Sequence, residues 1–519
     1  MDGFAAVVVS NFDIVENVFL LQCCLTKLLY LWRTLVIQFL QNQLVQMLRD
    51  WKFELRLDAK SGKAVYLQIA DALIKDIHSG RLKPKDALPG SRHLSQLLKV
   101  NRNTVVEALN VLLSEGWLVS KERQGTFVAA TLPHLQAGQA DKLTKPSLAK
   151  TKRKLCHLAF DDGHPDSKIA PISELARAYR QLFNQKGKWQ MMGYGDEFGE
   201  PEFRKAIVQM LNHQRAMQVD EQQICITRGS QMAMYLTAQC LLSKGDIVMV
   251  EHPGYQPAWK AFELTGASLL PIGVDKDGLC TAEVANYLSS GKRIKAIYVT
   301  PHRQYPTTVT LSLKRRIELV ALSNQYGFTI IEDDYDNEFH FGYRPVLPLS
   351  SFAALKNYVY IGTMSKVVAP ALRIGYLVSN NQTLIESTGE LRKMIDVQGD
   401  GIMEQAVLQL IKDGTIKRHI KKATNHYKAK RNFTATLLHQ HLSEKAVYTI
   451  PDGGLAFWIV PNQQVNWKQL AERLFYKGIK IITPDTYSFG HPVNGIRLGY
   501  GSLSEKELEE GIMALAKLL

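Results

Sequence analysis

A chain of 519 residues with 46% hydrophobic and 22% charged residues has the composition of a globular protein, which excludes disorder along its whole length. At about 100–200 residues per domain it holds about two to four domains. Lys+Arg 63 against Asp+Glu 49 gives a formal charge of +14 and a pI near 9.3, which suits a protein that meets a polyanion without requiring one. Cys23, Cys24, Cys156, Cys225, Cys240 and Cys280 form no CxxC pair and are too sparse to staple the chain, so they read as reduced thiols of a cytosolic protein.

Residues 7–48 carry apolar clusters such as Val18-Phe19-Leu20-Leu21 and Leu28-Leu29-Tyr30-Leu31-Trp32, interrupted by Lys27, Arg33 and several glutamines. No uninterrupted apolar run reaches about 18 residues, so no membrane span is expected. Asp2, Asp13 and Glu16 precede the first basic residue, Lys27, which argues against a secretory signal. Two readings stay open for residues 1–46: an amphipathic helix that packs elsewhere, or translation from an upstream start codon with the domain beginning at Met47. The second is favoured.

Over residues 47–130 the elements run helix, helix, helix, hairpin. Tyr66, Ile69, Leu73 and Ile77 line one helical face, and Ser79-Gly80 with Lys83-Pro84-Lys85 ends it. A short second helix after Pro89 carries Leu94, Leu97 and Leu98. Asn101 is a good N-cap for a third, with Val105, Leu109 and Leu112 inside and an end at Gly116. Two helices joined by a short turn is the helix-turn-helix arrangement, and it leaves Arg102-Asn103-Thr104 exposed to phosphates and base edges. Trp117-Leu118-Val119 and Thr126-Phe127-Val128 predict two strands around a basic wing, Lys121 to Gly125. Any trio of helices with a charged surface shares part of this pattern, because exposed basic residues are usually just solvated.

Tyr66-Leu67-Gln68-Ile69, Gly80-Arg81-Leu82, Leu88-Pro89-Gly90-Ser91-Arg92, Asn101 to Val105, Glu115-Gly116-Trp117-Leu118 and Gly125 to Val128 together resemble the GntR-type winged helix. That resemblance implies operator binding, with Arg92, Arg102, Asn103 and Thr104 at the groove and Gly125 letting the wing tip approach the backbone. Arg123 is equally a wing contact or a solvated residue. Gly90 and Asn101 stand where the family usually has Ser. Residues 131–154 lack periodicity and hold six Lys/Arg against Asp141 alone, which predicts a flexible linker. Its charge either adds non-specific attraction to DNA or does nothing beyond keeping the tether solvated.

From about residue 155, apolar runs alternate with helical segments, the mark of an α/β domain with a mostly parallel sheet. Ile224-Cys225-Ile226, Ile247 to Val250, Ala296 to Val299, Thr329-Ile330-Ile331 and Tyr358 to Ile361 read as strands whose ends carry small donors, an aromatic, carboxylates and a lysine. Ligands bind at such ends. A cofactor aldehyde needs an amine, a carboxylate for a ring nitrogen and donors for a phosphate, which points to pyridoxal 5'-phosphate. Lys366 lies beside Thr363 and Ser365 with Arg373 seven residues on, and Asp333 ends an apolar strand. Gly229-Ser230-Gln231 opens a helix, a ready anion site. Singly, each has a blander reading: a lone Ser-Lys means little, and Asp333-Asp334 suits a metal or a helix cap.

Together Gly193-Tyr194-Gly195-Asp196, Gly199 to Arg204, Thr227 to Gln231, Pro253-Gly254-Tyr255, Gln304 to Thr307, Glu332 to Asp336, Ser365-Lys366, Arg373 to Tyr376 and Ile496 to Tyr500 resemble the fold-type I aminotransferases over residues 155–519. The resemblance implies Lys366 as the Schiff-base lysine, Asp333 as partner of the pyridine nitrogen with Asp334 as the alternative, and Tyr335 on the ring hydroxyl. It places Tyr255 on the ring face, Ser230, Gln231, Thr363 and Arg373 on the phosphate with Ser365 beside them, and Arg497 on an α-carboxylate, which its planar fork suits.

A GntR-type winged helix (α+β) fused to an α/β domain of the pyridoxal-phosphate-dependent transferase fold type I resembles the MocR family of bacterial transcription regulators. Arg303 stands where that family commonly has His, and Thr308 where many members have Gly. The resemblance implies a cytoplasmic homodimer that binds operator DNA and senses pyridoxal phosphate or an amino compound, with chemistry at Lys366 shifting the DNA-binding domains. Candidate effectors include the cofactor itself, γ-aminobutyrate, taurine and D-amino acids. The alternative is an active aminotransferase with an auxiliary DNA-binding domain. A scaffold without cofactor is disfavoured because Lys366, Asp333 and Arg373 are all present. No metal is expected.

Overall fold

The computed structural model describes residues 32–34, 36, 58, 61–122, 124–133, 156–184, 188–342 and 346–519. Most of the N-terminal apolar region, Met47, Arg123 and the tether over 134–154 lie outside the described residues. The chain divides into two units, Met1–Lys150 and Thr151–Leu519.

In the first unit, α1 (Val65–His78) buries Ile69, Ala70, Leu73 and Ile77, the face its spacing predicts. Helix α2 (Ser91–Leu98) stops at Lys99, whose φ of 52° is left-handed. Asn101 then caps α3 (Arg102–Ser114), its side chain accepting from the Asn103 N–H at 2.9 Å. Strands β1 (Leu118–Lys121) and β2 (Gly125–Val128) pair antiparallel, with Lys121 opposite Gly125 at the wing tip. Leu73, Leu94, Val105, Leu112, Trp117 and Val128 meet in one core. Each such buried aliphatic contributes roughly 1.5–3 kcal/mol.

The second unit begins with β3 (Leu158–Ala159), α4 (Ile172–Asn184) and α5 (Pro201–Arg215). There follow β4 (Ile224–Thr227), α6 (Ser230–Leu241), β5 (Ile247–His252), α7 (Gln256–Glu263), β6 (Ser268–Asp275), β7 (Gly278–Leu279), α8 (Thr281–Ser289), β8 (Ile294–Val299), α9 (Leu313–Tyr326), β9 (Thr329–Asp334), β10 (Tyr358–Thr363) and β11 (Gly375–Ser379). The last third supplies α10 (Gln382–Asp396), α11 (Gly401–Lys412), α12 (Thr415–Leu442), β12 (Ala446–Tyr448), β13 (Ala456–Pro461), α13 (Trp467–Tyr476), β14 (Ile479–Lys480), β15 (Ile496–Gly499) and α14 (Glu505–Ala516).

The large sheet has the order β4-β11-β10-β9-β8-β5-β6-β7. Strands β10, β9, β8, β5 and β6 run parallel, while β11 is antiparallel to both neighbours and β7 to β6. Side chains alternate across a strand, and that period sorts the helices. Ile226, Met249, Ile297 and Ile330 face α4, α5, α8, α9 and α11. Cys225, Val248, Tyr298 and Ile331 face α6, α7 and α10. A smaller three-stranded sheet, β12-β13-β15, packs with α13, α14 and the end of α12.

All five strand runs of the sequence lie in the large sheet, which also contains β6, β7 and β11. Pro271 and Gly273 disguise β6. Pro271 pairs with Val250 of β5 and has no paired neighbour on its outer side, an edge position at which strands tolerate proline.

Candidate functional site

The parallel strands end along one edge of the sheet, and a cavity of about 180 Å³ lies against those ends. Asp333 is the penultimate residue of β9, Thr363 ends β10, Thr300 directly follows β8, and Tyr255 lies three residues beyond β5. Ser230 opens α6 beside them, and Lys366, three residues beyond β10, points in from the side.

One end of the cavity is built for an anion. The first N–H groups of α6 have no intrahelical acceptor. Arg373, itself at φ 53°, lies over that helix start with Nη2 on the Arg228 carbonyl at 3.1 Å. Two glycines make the approach feasible: a Cβ on Gly229 would lie 2.5 Å from Arg373 Nη2, and one on Gly375 would lie 2.5 Å from the Gly229 carbonyl carbon. Thr363 Oγ1 and Ser365 Oγ, 3.0 Å apart, add hydroxyls.

The other end holds Asp333. Tyr298 donates to its Oδ2 at 2.8 Å, while the buried Oδ1 has no partner among the described residues. Burial pushes this carboxyl up to about 7, with Tyr298 opposing and Asp334 adding to the rise. Asp334 differs: it is ion-paired to Arg215 and accepts from Tyr360 at 2.8 Å. Burial raises the Asp334 pKa, but Arg215 and His302 outweigh it and hold it below the usual range. Of the two carboxylates, only Asp333 lines the cavity.

Lys366 Nζ donates to the Gly163 carbonyl at 2.6 Å. Burial lowers its pKa, partly offset by Asp336, which favours the free amine that a condensation with an aldehyde needs. Tyr335 carries a buried hydroxyl without a partner among the described residues. Tyr255, pushed up to about 12 by burial, stands 5.0 Å from Tyr305, edge to face.

The cavity thus gathers Ser230, Tyr255, Asp333, Tyr335, Thr363, Ser365, Lys366 and Arg373. The side chain of Gln231 is not among them: its amide donates to the Pro257 carbonyl at 3.2 Å, which leaves its backbone N–H as its means of meeting an anion there. Arg497, buried on β15, stands behind Tyr305 and Tyr335, 5.2 and 5.9 Å from their rings, and donates to the carbonyls of Asp162 and Pro306. Sequence reasoning missed Asp162 and His164, which line the cavity just after β3; Asp162 accepts from Tyr305 at 2.8 Å. Asp161-Asp162-Gly163-His164 was the available signal. Gly193-Tyr194-Gly195 lies outside, with Tyr194 90% exposed.

On the first unit, Arg92, Arg102, Asn103 and Gly125 are exposed and Thr104 is half-buried. Arg102 Nε approaches Ser91 Oγ at 3.4 Å, joining the starts of α2 and α3, and Gly125 has φ 107°, which only a glycine adopts freely.

Fold and site define a DNA-reading winged helix joined to an aminotransferase-like body. The aminotransferase class I and II family matches residues 159–515, and the bacterial regulatory proteins of the gntR family match residues 65–128. The chain therefore belongs to the aminotransferase class I and II family and, through its gntR head, to the MocR type of helix-turn-helix regulators. It is 27% identical over 483 residues to the probable rhizopine catabolism regulatory protein MocR of Rhizobium meliloti, covering 88% of this chain and 94% of that one. It is 25% identical over 477 residues to the HTH-type transcriptional regulator TauR of Rhodobacter capsulatus, covering 87% and 96%. Among solved structures, kynurenine aminotransferase of Pyrococcus horikoshii, in complex with PMP, aligns with a TM-score of 0.65 and 26% identity over 70% of this chain and 90% of that one.

The family is pyridoxal-phosphate-dependent, and the residues present fit the group. A pyridinium N–H suits the unpaired oxygen of Asp333, a ring oxygen suits the unpaired Tyr335 hydroxyl, and a phosphate suits the cup under Arg373. Among the described residues no cluster of His, Cys, Asp and Glu forms a metal site, and no helix is long and apolar enough to cross a membrane.

Proposed function

We propose that this chain is a pyridoxal-phosphate-dependent transcriptional regulator that binds operator DNA through residues 65–128 and senses the cofactor or an amino compound at Lys366. The observation that carries this reading is one cavity pairing Lys366 with Asp333 and Arg373, in a chain whose head exposes Arg102 and Asn103 at a helix start.

In this reading Lys366 holds the cofactor covalently and Asp333 takes the pyridinium N–H. Tyr335 donates to the ring oxygen and Tyr255 covers the ring. Ser230, Thr363, Ser365, Arg373 and the N–H groups of Ser230 and Gln231 hold the phosphate, and Arg497 takes a carboxylate of the effector. The bound cofactor supplies an electrophilic carbon that captures primary amines. Arg92, Arg102, Asn103, Thr104 and Gly125 meet the operator. An effector changes transcription only if it binds two states of the protein with different affinity.

The protein acts in the cytoplasm as a homodimer. The exposed Trp189, Tyr194 and Met394 support a second copy, and light scattering on the purified chain reads it directly.

The test is the visible absorption spectrum of wild type beside Lys366→Ala, before and after borohydride. A yellow wild type with an adduct trapped by reduction, absent from the variant, supports the reading. A protein that stays colourless with added pyridoxal phosphate removes the cofactor, and operator affinity that ignores both cofactor and amines removes the sensing. Sustained turnover of amino and keto acids makes the chain an enzyme with an auxiliary head.

A further inference from the structure

We propose that α12 is a second DNA-contacting surface, on the aminotransferase-like unit, which grips phosphates through Lys417, Lys421 and Lys428. This goes beyond the winged-helix reading and does not depend on the cofactor.

The 28-residue helix holds Lys417, Arg418, Lys421, Lys422, Lys428, Lys430 and Arg431, four histidines, and no carboxylate between Asp413 and Glu444. A helix that exposes lysines only for solubility mixes signs, because Glu and Lys four residues apart attract while like charges repel. Helix α14 carries both signs, with Lys506 four residues before Glu510, although Glu505 and Glu509 also stack. Helix α12 instead stacks like on like, Lys417 under Lys421 and Arg418 under Lys422. No carboxylate of the helix itself offsets that repulsion, and a polyanion relieves it.

The burial pattern sorts the bases. Those turned inward are satisfied within the fold: Lys430 lies 3.7 Å from Asp166 and donates to the Gly501 carbonyl, and Arg431 donates to the Pro451 carbonyl. Lys417, Lys421, Lys422 and Lys428 are exposed, and no carboxylate of the described residues pairs with them. At 100° per residue Lys417, Lys421 and Lys428 fall within about 40° of one another and span about 16 Å. Duplex DNA presents a charge per about 1.7 Å of its axis, so such a row faces several phosphates. Next to it, Arg418 and Lys422 join Lys168 and Arg177 around a cleft of about 730 Å³, which also contains Glu174 and Asp413. Flexible ammonium groups read charge without sequence, so the contact is to backbone.

The test uses the full chain, a labelled mixed-sequence duplex of about 60 bp, and anisotropy between about 50 and 200 mM salt. K417Q/K421Q/K428Q is expected to reduce the slope of log K against log salt by about 2.7, so that across this range the variant's affinity falls roughly 40-fold less than wild type's. K417R/K421R/K428R retains the wild-type slope. K276Q/K356Q/K468Q, which removes the same charge from exposed lysines outside α12, retains it too. Circular dichroism and melting confirm that each variant is folded. A wild-type slope in the glutamine variant overturns the proposal and leaves α12 to an acidic protein. An equal fall in the control set reduces it to an effect of net charge. Combining the α12 variant with Arg102→Ala separates this contact from the head's, because independent contacts add.

Discussion

Tyr298 on β8 donates to Oδ2 of Asp333 on the adjacent strand β9 at 2.8 Å, and nothing among the described residues reaches Oδ1. A buried carboxylate held on one side and bare on the other is costly without a cation. Asp333→Asn keeps the shape and removes the charge. Breaking such a pair costs about 3–5 kcal/mol, so affinity for pyridoxal phosphate should fall at least about a hundredfold in an absorbance titration. Asp334→Asn strands Arg215 and should instead lower the melting temperature. Undiminished affinity in Asp333→Asn would sink its assignment to the ring nitrogen.

The protein without cofactor should lose stability as pH rises. Burial pushes Glu251 up to about 7, with the hydrogen bonds from Thr300 opposing. Ionising it in the folded state is therefore unfavourable. Its contribution is full below the unfolded pKa near 4.5 and is lost as pH rises through about 7. The shift corresponds to on the order of 3 kcal/mol. Melting curves from pH 4 to 8 should show a smaller decline in Glu251→Gln, and parallel curves would refute this. Asp333, also near 7, declines in the same direction, and bound cofactor should remove its share.

Thr308 sits at φ 64°, a left-handed conformation that a β-branched residue adopts at a cost of about 1–3 kcal/mol. Thr308→Gly relieves it, while glycine's greater freedom when unfolded returns part of the gain. A net stabilisation of about 1 kcal/mol is expected in urea melts. Destabilisation would mean that the hydroxyl or methyl makes a contact worth more than the strain.

Asn101 and Arg102 are neighbours with separable tasks. Asn101→Ala removes the cap of α3 and should cost about 1 kcal/mol in thermal melts. Arg102→Ala should leave stability unchanged and lower the salt slope of DNA binding by about 1 if it meets a phosphate. Unaltered DNA binding in Arg102→Ala would remove it from the interface.

Much was legible before any tertiary contact was known. The three helices and the wing follow from spacing, one N-cap and paired glycines, all local effects. The five strand runs are apolar on both faces because helices cover both sides of the sheet, and their polar ends mark where the cavity lies. The chain's fold, and its membership of a DNA-reading, aminotransferase-like class, were therefore written in local patterns and motif order.

What remained hidden depends on residues far apart in sequence. Asp333 and Asp334 are adjacent and chemically identical, and period-2 alternation sends one to each face; only the packing of α5 brings Arg215 to Asp334 and leaves Asp333 for the cavity. Gly163 meets Lys366 across 203 positions, and Asp162 meets Tyr305 across 143, so the run Asp161 to His164 carried no local sign of which partners it would meet. The Gln231 side chain was turned away by Pro257. Local propensity and hydrophobic period determine which elements form, because neighbours in sequence decide them. The face that meets a ligand is decided by long-range packing, because only there do burial and charge pairing distinguish one carboxylate from the next.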